Sequence, residues 1–268
     1  MHSTDKIKTV AILGAGNGGC AAAADLTNRG FDVHLYSRSQ QTLQPIIDRG
    51  GLEMIGVLGE GFMKLAKVTN QIEEAVGGAD VIMTTTPTNA FDYFAQILAP
   101  LLEQGQVLFF NPGQGGGGLS FHRWLRQYGG PPVRSVETSS LTYGTRTPEP
   151  GKTWIKTEVK NLMTGAFPSK DTEELVAYVR QLYPVLKPAR NVLETTLYDL
   201  NAIEHPPGMV CNAGWIEHTW GGFRFYYEGL TPSVCRVIED IDEERLEIIR
   251  ALNRRTGWDI PVKSFPEI

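Results

Sequence analysis

The stretch Thr9–Asp25, which reads Thr-Val-Ala-Ile-Leu-Gly-Ala-Gly-Asn-Gly-Gly-Cys-Ala-Ala-Ala-Ala-Asp, decides the fold of this chain. It opens with the apolar run Val10–Leu13, whose length and β-branched residues are typical of a buried parallel strand. Gly14, Gly16 and Gly19 follow at the spacing G-x-G-x-x-G, and an alanine run that predicts a helix comes next. This order of strand, glycine turn and helix predicts the first unit of a doubly wound α/β fold.

Each glycine of the turn is needed for a different structural reason. Gly14 permits a tight turn, Gly16 lets the backbone approach a pyrophosphate, and Gly19 lets the helix lie against the strand. Asn17 and Gly18 complete the loop, and the helix N-terminus presents N–H groups and partial positive charge to phosphates. The alternative is a glycine-rich turn without a ligand, but the position between a strand and a helix favours dinucleotide binding.

The end of the second predicted strand, Asp32–Ser37, selects between the two nicotinamide dinucleotides. NAD enzymes usually place Asp or Glu there to hold the ribose 2′-hydroxyl. This chain has Ser37 and Arg38 instead, and a hydroxyl beside a guanidinium suits a 2′-phosphate. The alternative is an exposed arginine on a loop. The sequence therefore favours NADP(H) as the cofactor and leaves NAD(H) open.

Further alternation of strands and helices predicts a Rossmann-type, mostly parallel sheet with helices on both faces. One buried strand begins at Ala79 and leads into Thr86 and Pro87. Ligands of such sheets bind beyond the carboxyl ends of the strands, so we expect these two residues to border the cofactor. The alternative is a polar loop that borders nothing.

Beyond about residue 190 the pattern becomes helical. Helices are predicted over Glu194–Glu204 and Met209–His218, separated by Pro206–Pro207 because proline interrupts helices. Apolar residues at helical intervals predict a further amphipathic helix over Pro232–Leu252. We therefore predict a dinucleotide-binding domain over residues 1–188 and a smaller all-helical substrate and catalytic domain over residues 189–268.

Asn201 and His205 are four residues apart, so they share one helical face. Pro206 disfavours the helical conformation at the residue before it, which predicts that His205 lies at a helix end. There the helix dipole would favour a protonated imidazole near neutral pH. Hydride transfer to a carbonyl or imine needs a proton donor, and histidine usually fills that role. The alternative, a histidine that only caps the helix, fits the spacing equally well.

Composition bounds the remaining function classes. The chain has 268 residues, 41% hydrophobic and 21% charged, with a net charge of −5, which is typical of a soluble globular protein and argues against nucleic-acid or membrane partners. Three scattered cysteines, Cys20, Cys211 and Cys235, indicate a reducing compartment rather than disulfides, and no spacing suggests a metal site. Residues Met1–Lys6 lack the core of a signal peptide, so we expect a cytoplasmic protein.

These residues together resemble the octopine/nopaline (opine) dehydrogenase family. The most specific element of the resemblance is Asn-x-x-x-His-Pro, and the resemblance covers nearly the whole chain. The segments that carry it are Gly14–Gly19, Thr86–Pro87, Asn111–Gly113, Glu137–Thr138, Asn201–Gly214, Phe225–Pro232 and Ile241–Arg245.

The resemblance implies reductive condensation of an α-keto acid such as pyruvate with the amino group of an amino acid, using NAD(P)H. It implies His205 as the catalytic acid/base and Asn201 as a neighbour that orients substrate or nicotinamide. Substrate carboxylates call for arginine. The substrate-binding candidates are Arg146, Arg224, Arg236, Glu137 and Asn212.

Members of that family usually continue beyond the length of this chain, so we expect part of the substrate wall to be absent or to come from a neighbouring subunit. An exposed helical domain is also consistent with a homodimer. Two other functions stay open at this point. One is NAD(P)H-dependent reduction of a plain keto or hydroxy acid, as in the related ketopantoate reductases, and the other is a catalytically silent dinucleotide-binding module.

Overall fold

The computed structural model describes residues 6–267, so most of the stretch Met1–Lys6 lies outside it. The chain divides into two compact units, one ending at Thr196 and the other beginning at Leu197. This division falls later than the predicted 188/189 boundary. The reason is that Thr195 Oγ1 donates a hydrogen bond to Glu137 Oε1 at 2.8 Å and so keeps its segment with the first unit.

The first unit alternates strands and helices. Its strands are β1 (Thr9–Leu13), β2 (Asp32–Tyr36), β3 (Leu52–Gly56), β4 (Gly61–Met63), β5 (Lys67–Thr69), β6 (Val81–Thr84), β7 (Val107–Phe110), β8 (Arg134–Thr138), β9 (Tyr143–Glu149), β10 (Lys152–Glu158), β11 (Leu162–Phe167) and β12 (Leu186–Pro188). Its helices are α1 (Asn17–Asn28), α2 (Gln40–Arg49), α3 (Ile72–Val76), α4 (Phe91–Leu98), α5 (Gly117–Gln127) and α6 (Thr172–Val179). Helix α7 (Val192–Leu197) crosses the division between the units.

In the described part of the chain, eight strands form the main sheet in the order β12-β11-β8-β7-β6-β1-β2-β5. Neighbouring strands are parallel except β11, which runs antiparallel to β8. The prediction of a doubly wound, mostly parallel sheet is therefore confirmed. The chain leaves β1 toward β2 on one side and returns to β6 on the other, and this reversal creates the crevice where such sheets bind ligands.

Alternate residues of β1 serve the two faces of this sheet. Val10 and Ile12 pack into the apolar core that includes α1 and α6, whereas Ala11 and Leu13 pack into the core that includes α4 and α5. All four are at most 1% exposed. A strand buried on both faces needs a continuous apolar run, which is why this segment was recognisable in the sequence.

Two hairpins, β3–β4 and β9–β10, form a second sheet in the order β4-β3-β10-β9. Helix α1 packs between this sheet and the main one. Asp25 of α1 is 1% exposed and accepts hydrogen bonds from Tyr143 Oη at 2.6 Å and Arg29 Nε at 2.9 Å. Arg29 also reaches Glu158 Oε1 at 3.1 Å. The helix behind the glycine turn is thereby fixed to β9 and β10 by polar bonds as well as by packing.

The second unit contains α8 (Asn201–Val210), α9 (Ala213–His218), a π-helical turn (Phe225–Gly229) and α10 (Pro232–Thr256). The long helix predicted near the C-terminus is confirmed. Thr231 caps its start by accepting a hydrogen bond from Val234 N–H at 3.4 Å, and Gly257 ends it with φ +70°. Among residues 6–267, no helix has the length and apolar composition needed to cross a membrane.

The predicted interruption at Pro206 is wrong, because α8 runs through both prolines. The fixed φ of proline suits a helix, and the missing N–H groups leave only two carbonyl groups of the preceding turn without their helical partners. Pro207 and Gly208 are buried, so packing holds the segment in helical form. His205 consequently lies in the middle of α8, and its predicted position at a helix end is wrong.

Candidate active site

The turn between β1 and α1 has the geometry that its glycines predict. Gly14 adopts φ +113°, and its N–H donates to the Tyr36 carbonyl at 2.9 Å, which links the turn to the end of β2. A Cβ on Gly14 would lie 2.7 Å from Thr86 Cγ2, and one on Gly19 would lie 1.7 Å from the Gly14 carbonyl oxygen. Both positions therefore require glycine for the fold itself.

Gly16 is different, because no contact with the described residues requires glycine there. It precedes the first residue of α1 with φ −83°, it is exposed, and a Cβ there would meet no described atom within 4 Å. The first turn of α1 contains no acidic residue, so its partial positive charge is not neutralised locally. Open space in front of a helix N-terminus fits the pyrophosphate of a dinucleotide.

The other residues of the loop contact the protein. Asn17 Oδ1 accepts a hydrogen bond from Thr147 N–H of β9 at 2.8 Å, and a Cβ on Gly18 would lie 3.2 Å from a Leu141 methyl group. Both contacts hold the start of α1 against the segment that contains β9. Asn17 itself remains exposed beside the open space at Gly16.

The loop after β6 lies directly against the glycine turn. The Thr85 N–H donates to the Leu13 carbonyl at 3.3 Å, and the hydroxyls of Thr84 and Thr86 are 2.8 Å apart. Pro87 is exposed next to them. Thr86 therefore lies next to the glycine turn, as expected for a residue beyond the carboxyl end of a parallel strand.

The segment after β2 presents a cation on an aromatic ring. The Arg38 guanidinium carbon is 4.9 Å from the centre of the Tyr93 ring, and among residues 6–267 this side chain has no carboxylate partner. Ser37 Oγ accepts from Ser39 N–H at 3.2 Å, and Ser39 Oγ in turn caps α2. The positive charge of Arg38 is therefore held in place and left available to an anion.

Glu137 lies at the end of β8 and is 1% exposed. Its Oε2 has no hydrogen bond of normal geometry in the described residues, although the Gly118 N–H is close enough to favour the charged form, as are the hydroxyls of Thr195 and Thr196. Burial outweighs them and raises the pKa of Glu137 to about 7. A Cβ on Gly113 would lie within 2.6 Å of the Glu137 carboxyl, so this glycine makes room for it. The structure does not bring the Glu137 carboxyl to an open surface.

The candidate arginines are exposed and have local partners. Arg146 Nη1 donates to the Thr145 carbonyl at 2.8 Å, and Arg236 Nη2 donates to Ser233 Oγ at 3.0 Å. Arg224 is 72% exposed and lies 3.5 Å from Glu228. Within the described residues, no group of three or more His, Cys, Asp or Glu side chains is arranged to hold a metal ion.

In the second unit, the His205 ring is held by two aromatic residues of the π-helical turn. It stacks on Phe225 with ring centres 5.3 Å apart and an angle of 15° between the planes. Its Nε2 is 3.2 Å from Tyr226 Oη. A Cβ on Gly208 would lie 2.5 Å from the Phe225 ring, so glycine here allows the ring to pack on α8. We call His205, Phe225 and Tyr226 the ring cluster.

Two asparagines support this arrangement. Asn201 begins α8, and its backbone N–H and side-chain Nδ2 both donate to Asp199 Oδ1, at 3.1 and 2.9 Å. Asn212 is buried, and its Nδ2 donates to the Gly208 carbonyl at 2.7 Å and to the Gly229 carbonyl at 3.0 Å. Asn212 therefore joins the end of α8 to the π-helical turn.

Sequence reasoning did not assign a role to Phe225 or Tyr226. The signal was present, because the segment Phe225–Pro232 is one of those that carry the family resemblance. Spacing along the chain gave no reason to pair it with His205, since Tyr226 is 21 residues away.

Comparisons with known proteins identify the family of this chain. The model of the family "NAD/NADP octopine/nopaline dehydrogenase, alpha-helical domain" matches residues 188–265, and that of "Ketopantoate reductase PanE/ApbA" matches residues 10–118. An opine dehydrogenase from Arthrobacter sp. (strain 1C) is 35% identical over 249 residues, which cover 92% of this chain and 68% of that protein. The chain belongs to the opine dehydrogenase family.

Solved structures of other opine dehydrogenases share the fold. Octopine dehydrogenase in complex with NADH and agmatine matches with a TM-score of 0.79 at 19% identity, covering 96% of this chain and 68% of that one. Yersinopine dehydrogenase with NADP+ bound matches with a TM-score of 0.72 at 19% identity, covering 92% and 64%. The predicted Rossmann-type sheet followed by a helical domain is thus confirmed.

Membership of the opine dehydrogenase family also confirms the predicted enzyme class. The protein is an NAD(P)-dependent oxidoreductase that acts on CH–NH bonds. Its reaction is the NAD(P)H-dependent reductive condensation of an α-keto acid with an amino acid.

Proposed function

We propose that this opine dehydrogenase uses NADPH in preference to NADH, with the dinucleotide seated on the β1–α1 turn and His205 handling the proton of the condensation. The observation that supports this binding site is the open space at Gly16, where a Cβ would meet no described atom within 4 Å. When bound, the nicotinamide supplies hydride to the imine carbon.

The residues of the first unit would hold the dinucleotide by three kinds of contact. Backbone N–H groups at Gly16–Gly19 would face the pyrophosphate, and Thr86 with Pro87 would border it. Ser37 and Arg38 would bind a 2′-phosphate, which a carboxylate at this place would repel. The stacking of Arg38 on Tyr93 supports this preference, because it holds the guanidinium ready for an anion.

The residues of the second unit would handle the substrates. His205 would give a proton to the departing oxygen and take it back in the reverse reaction, and Asn201 on the same face of α8 would orient the reacting groups. The fixed orientation of the His205 ring supports this role, since proton transfer depends on geometry. Substrate binding by Glu137, Arg146, Asn212, Arg224 and Arg236 stays a prediction.

Replacing the histidine tests the assignment. We expect His205→Ala to lower turnover of NADPH with pyruvate and a panel of amino acids by about 10²- to 10⁴-fold, the usual contribution of an acid/base group. NADPH affinity, measured by its fluorescence on binding, should stay the same. His218→Ala, an exposed histidine in α9, is the matched control and should keep full activity. Turnover that survives in His205→Ala removes this residue from the mechanism.

Reduction of a plain keto acid is a candidate additional activity besides the condensation, because the ketopantoate reductase model matches residues 10–118. The two functions differ in their need for an amine. Oxidation of NADPH by pyruvate alone, at the same rate with and without an amino acid, would favour the plain reductase. Oxidation that begins only when the amino acid is added supports the condensation.

The predicted cytoplasmic location and homodimer are kept as proposals. The location rests on composition and cysteine usage. Exposed aromatic side chains of the second unit, with Trp220 at 96% and Tyr227 at 84%, support association with a second copy. Light scattering at micromolar concentration would detect the dimer, and a monomer mass there would exclude it.

A further inference from the structure

The two ring nitrogens of His205 have different surroundings. Nδ1 has less than 1 Å² of accessible surface and no hydrogen-bond partner in the described part of the chain. Nε2 lies 3.2 Å from the hydroxyl of Tyr226, a residue that is 60% exposed. Nδ1 is therefore shielded, whereas Nε2 already has the Tyr226 hydroxyl as its partner.

Phe225, the second aromatic contact of the ring in the described residues, carries no exchangeable proton. Phe225 covers one face of the imidazole, and Gly208 and Asn212 fix Phe225 through packing and through the two bonds that join α8 to the π-helical turn. Tyr226 also meets the imidazole edge-on, with ring centres 6.3 Å apart. The ring cluster therefore leaves the phenolic hydroxyl as the polar group between Nε2 and the exposed side.

We propose that Tyr226 is a further catalytic residue, whose hydroxyl relays the proton between His205 Nε2 and the substrate. The proposal rests on the proposed role of His205 as the acid/base. A phenol suits a relay, because the same oxygen accepts one hydrogen bond while it donates another. Its exposure gives a substrate direct access to it.

The relay fits the condensation step in which water is lost. The hydroxyl of the carbinolamine takes the phenolic proton, and its C–O bond breaks to release water. The lone pair of the amine nitrogen forms the C=N bond of the iminium ion. The phenol oxygen takes the proton of Nε2, so that Tyr226 is regenerated and His205 is left neutral. One proton has moved from His205 to the leaving oxygen, and nothing is oxidised or reduced in this step.

The neighbouring tyrosine provides a matched control. Tyr227 is 84% exposed and lies under the Arg224 guanidinium, 5.5 Å from it, rather than against His205. Tyr226→Phe and Tyr227→Phe therefore each remove one exposed hydroxyl from the same turn and keep the aromatic ring. Only the first removes the bond to Nε2.

Steady-state kinetics of the two variants with NADPH, pyruvate and the best amino acid test the relay. We expect Tyr226→Phe to lower kcat by about 100-fold with little change in KM, which is the lower end of the range for loss of a positioned proton-transfer group, because His205 itself remains. The solvent isotope effect on kcat should fall, because two protons move in the wild type. Tyr227→Phe should match the wild type in both respects. Equal rates and isotope effects in the two variants would overturn the proposal.

A measurement without substrate separates this proposal from the one it rests on. The ¹⁵N resonance of His205 Nε2 in the free protein should shift in Tyr226→Phe and stay in place in Tyr227→Phe. An unshifted resonance in both variants contradicts the hydrogen bond on which the relay depends. Full turnover by His205→Ala would instead refute the proposed acid/base, whatever the tyrosine variants do.

Discussion

Helices α1 and α8 both carry proposed functional groups, but they do so in different ways. Helix α1 offers its N-terminus, where backbone N–H groups and the open space at Gly16 would form the proposed phosphate site. Helix α8 offers a side chain from its middle, and His205 is oriented by residues that follow in a separate turn. A site made of backbone can be recognised from the local sequence, whereas a site made of side chains depends on the tertiary structure.

Alanine at Gly19 and alanine at Gly16, both in the glycine turn before α1, should differ most in their effect on stability. We expect Gly19→Ala to destabilise the first unit by about 3 kcal/mol or more, because its Cβ would lie 1.7 Å from a backbone oxygen that the strand holds in place. Gly16→Ala should leave the free energy of unfolding unchanged, since its Cβ meets no described atom within 4 Å. Urea unfolding would measure both.

Gly16→Ala should instead affect the affinity for NADPH. Gly16→Ala should weaken NADPH binding by at least about 10-fold in spite of its normal stability, because the methyl group enters the space assigned to phosphate. Normal affinity in a folded Gly16→Ala variant would show that the seat is elsewhere and would break the comparison between the two helices.

The buried carboxyl of Glu137 should make the free energy of unfolding depend on pH. Its pKa is raised from 4.5 to about 7 in the folded state, so the folded protein holds a proton that the unfolded chain releases between these values. The resulting stability is fully present below pH 4.5 and is lost as the pH rises through 7. A difference of this size corresponds to about 3 kcal/mol.

Glu137→Gln should remove this pH dependence. The free energy of unfolding of the wild type should fall by up to about 3 kcal/mol more than that of the variant between pH 4.5 and pH 8. Glu60→Gln, which changes an exposed carboxylate, should follow the wild type at every pH. Parallel curves for the wild type and Glu137→Gln would contradict the buried, protonated carboxyl.

Replacing Arg38 should change cofactor affinity, and this is the smallest effect that we predict. Arg38→Ala should weaken NADPH binding by about 10- to 100-fold and NADH binding by less than about 2-fold, because only the 2′-phosphate needs the guanidinium. Arg123→Ala, an exposed arginine of α5, should affect neither. Equal losses for both dinucleotides would remove the preference for NADPH.

The sequence predicted those parts of the fold that are encoded locally. The run Val10–Leu13, the glycine turn and the helix after it are contiguous, and each has a distinctive pattern. The second sheet, in which two hairpins unite, was not predicted. That sheet depends on the pairing of Glu53 with Lys152 in parallel strands, which no local pattern encodes.

The site in α8 was predicted less completely, for two physical reasons. The rule for residues before proline gave the wrong position for His205, because burial of Pro207 and Gly208 outweighs the lost hydrogen bonds. The partner of Nε2 is 21 residues away, and its contact arises only when the π-helical turn packs on α8. Spacing along the chain predicted His205, whereas Tyr226 becomes its neighbour only in the tertiary structure.

The hydrogen bonds that join α1 to β9 and β10 limit how the cofactor preference of this enzyme could change. Asp25 accepts hydrogen bonds from Tyr143 and Arg29, so the proposed phosphate site lies on a helix that is bonded and packed on both sides. Adaptation to another dinucleotide, in evolution or by protein engineering, would therefore begin at Ser37 and Arg38. There an exchanged side chain disturbs a loop and leaves the framework behind the seat intact.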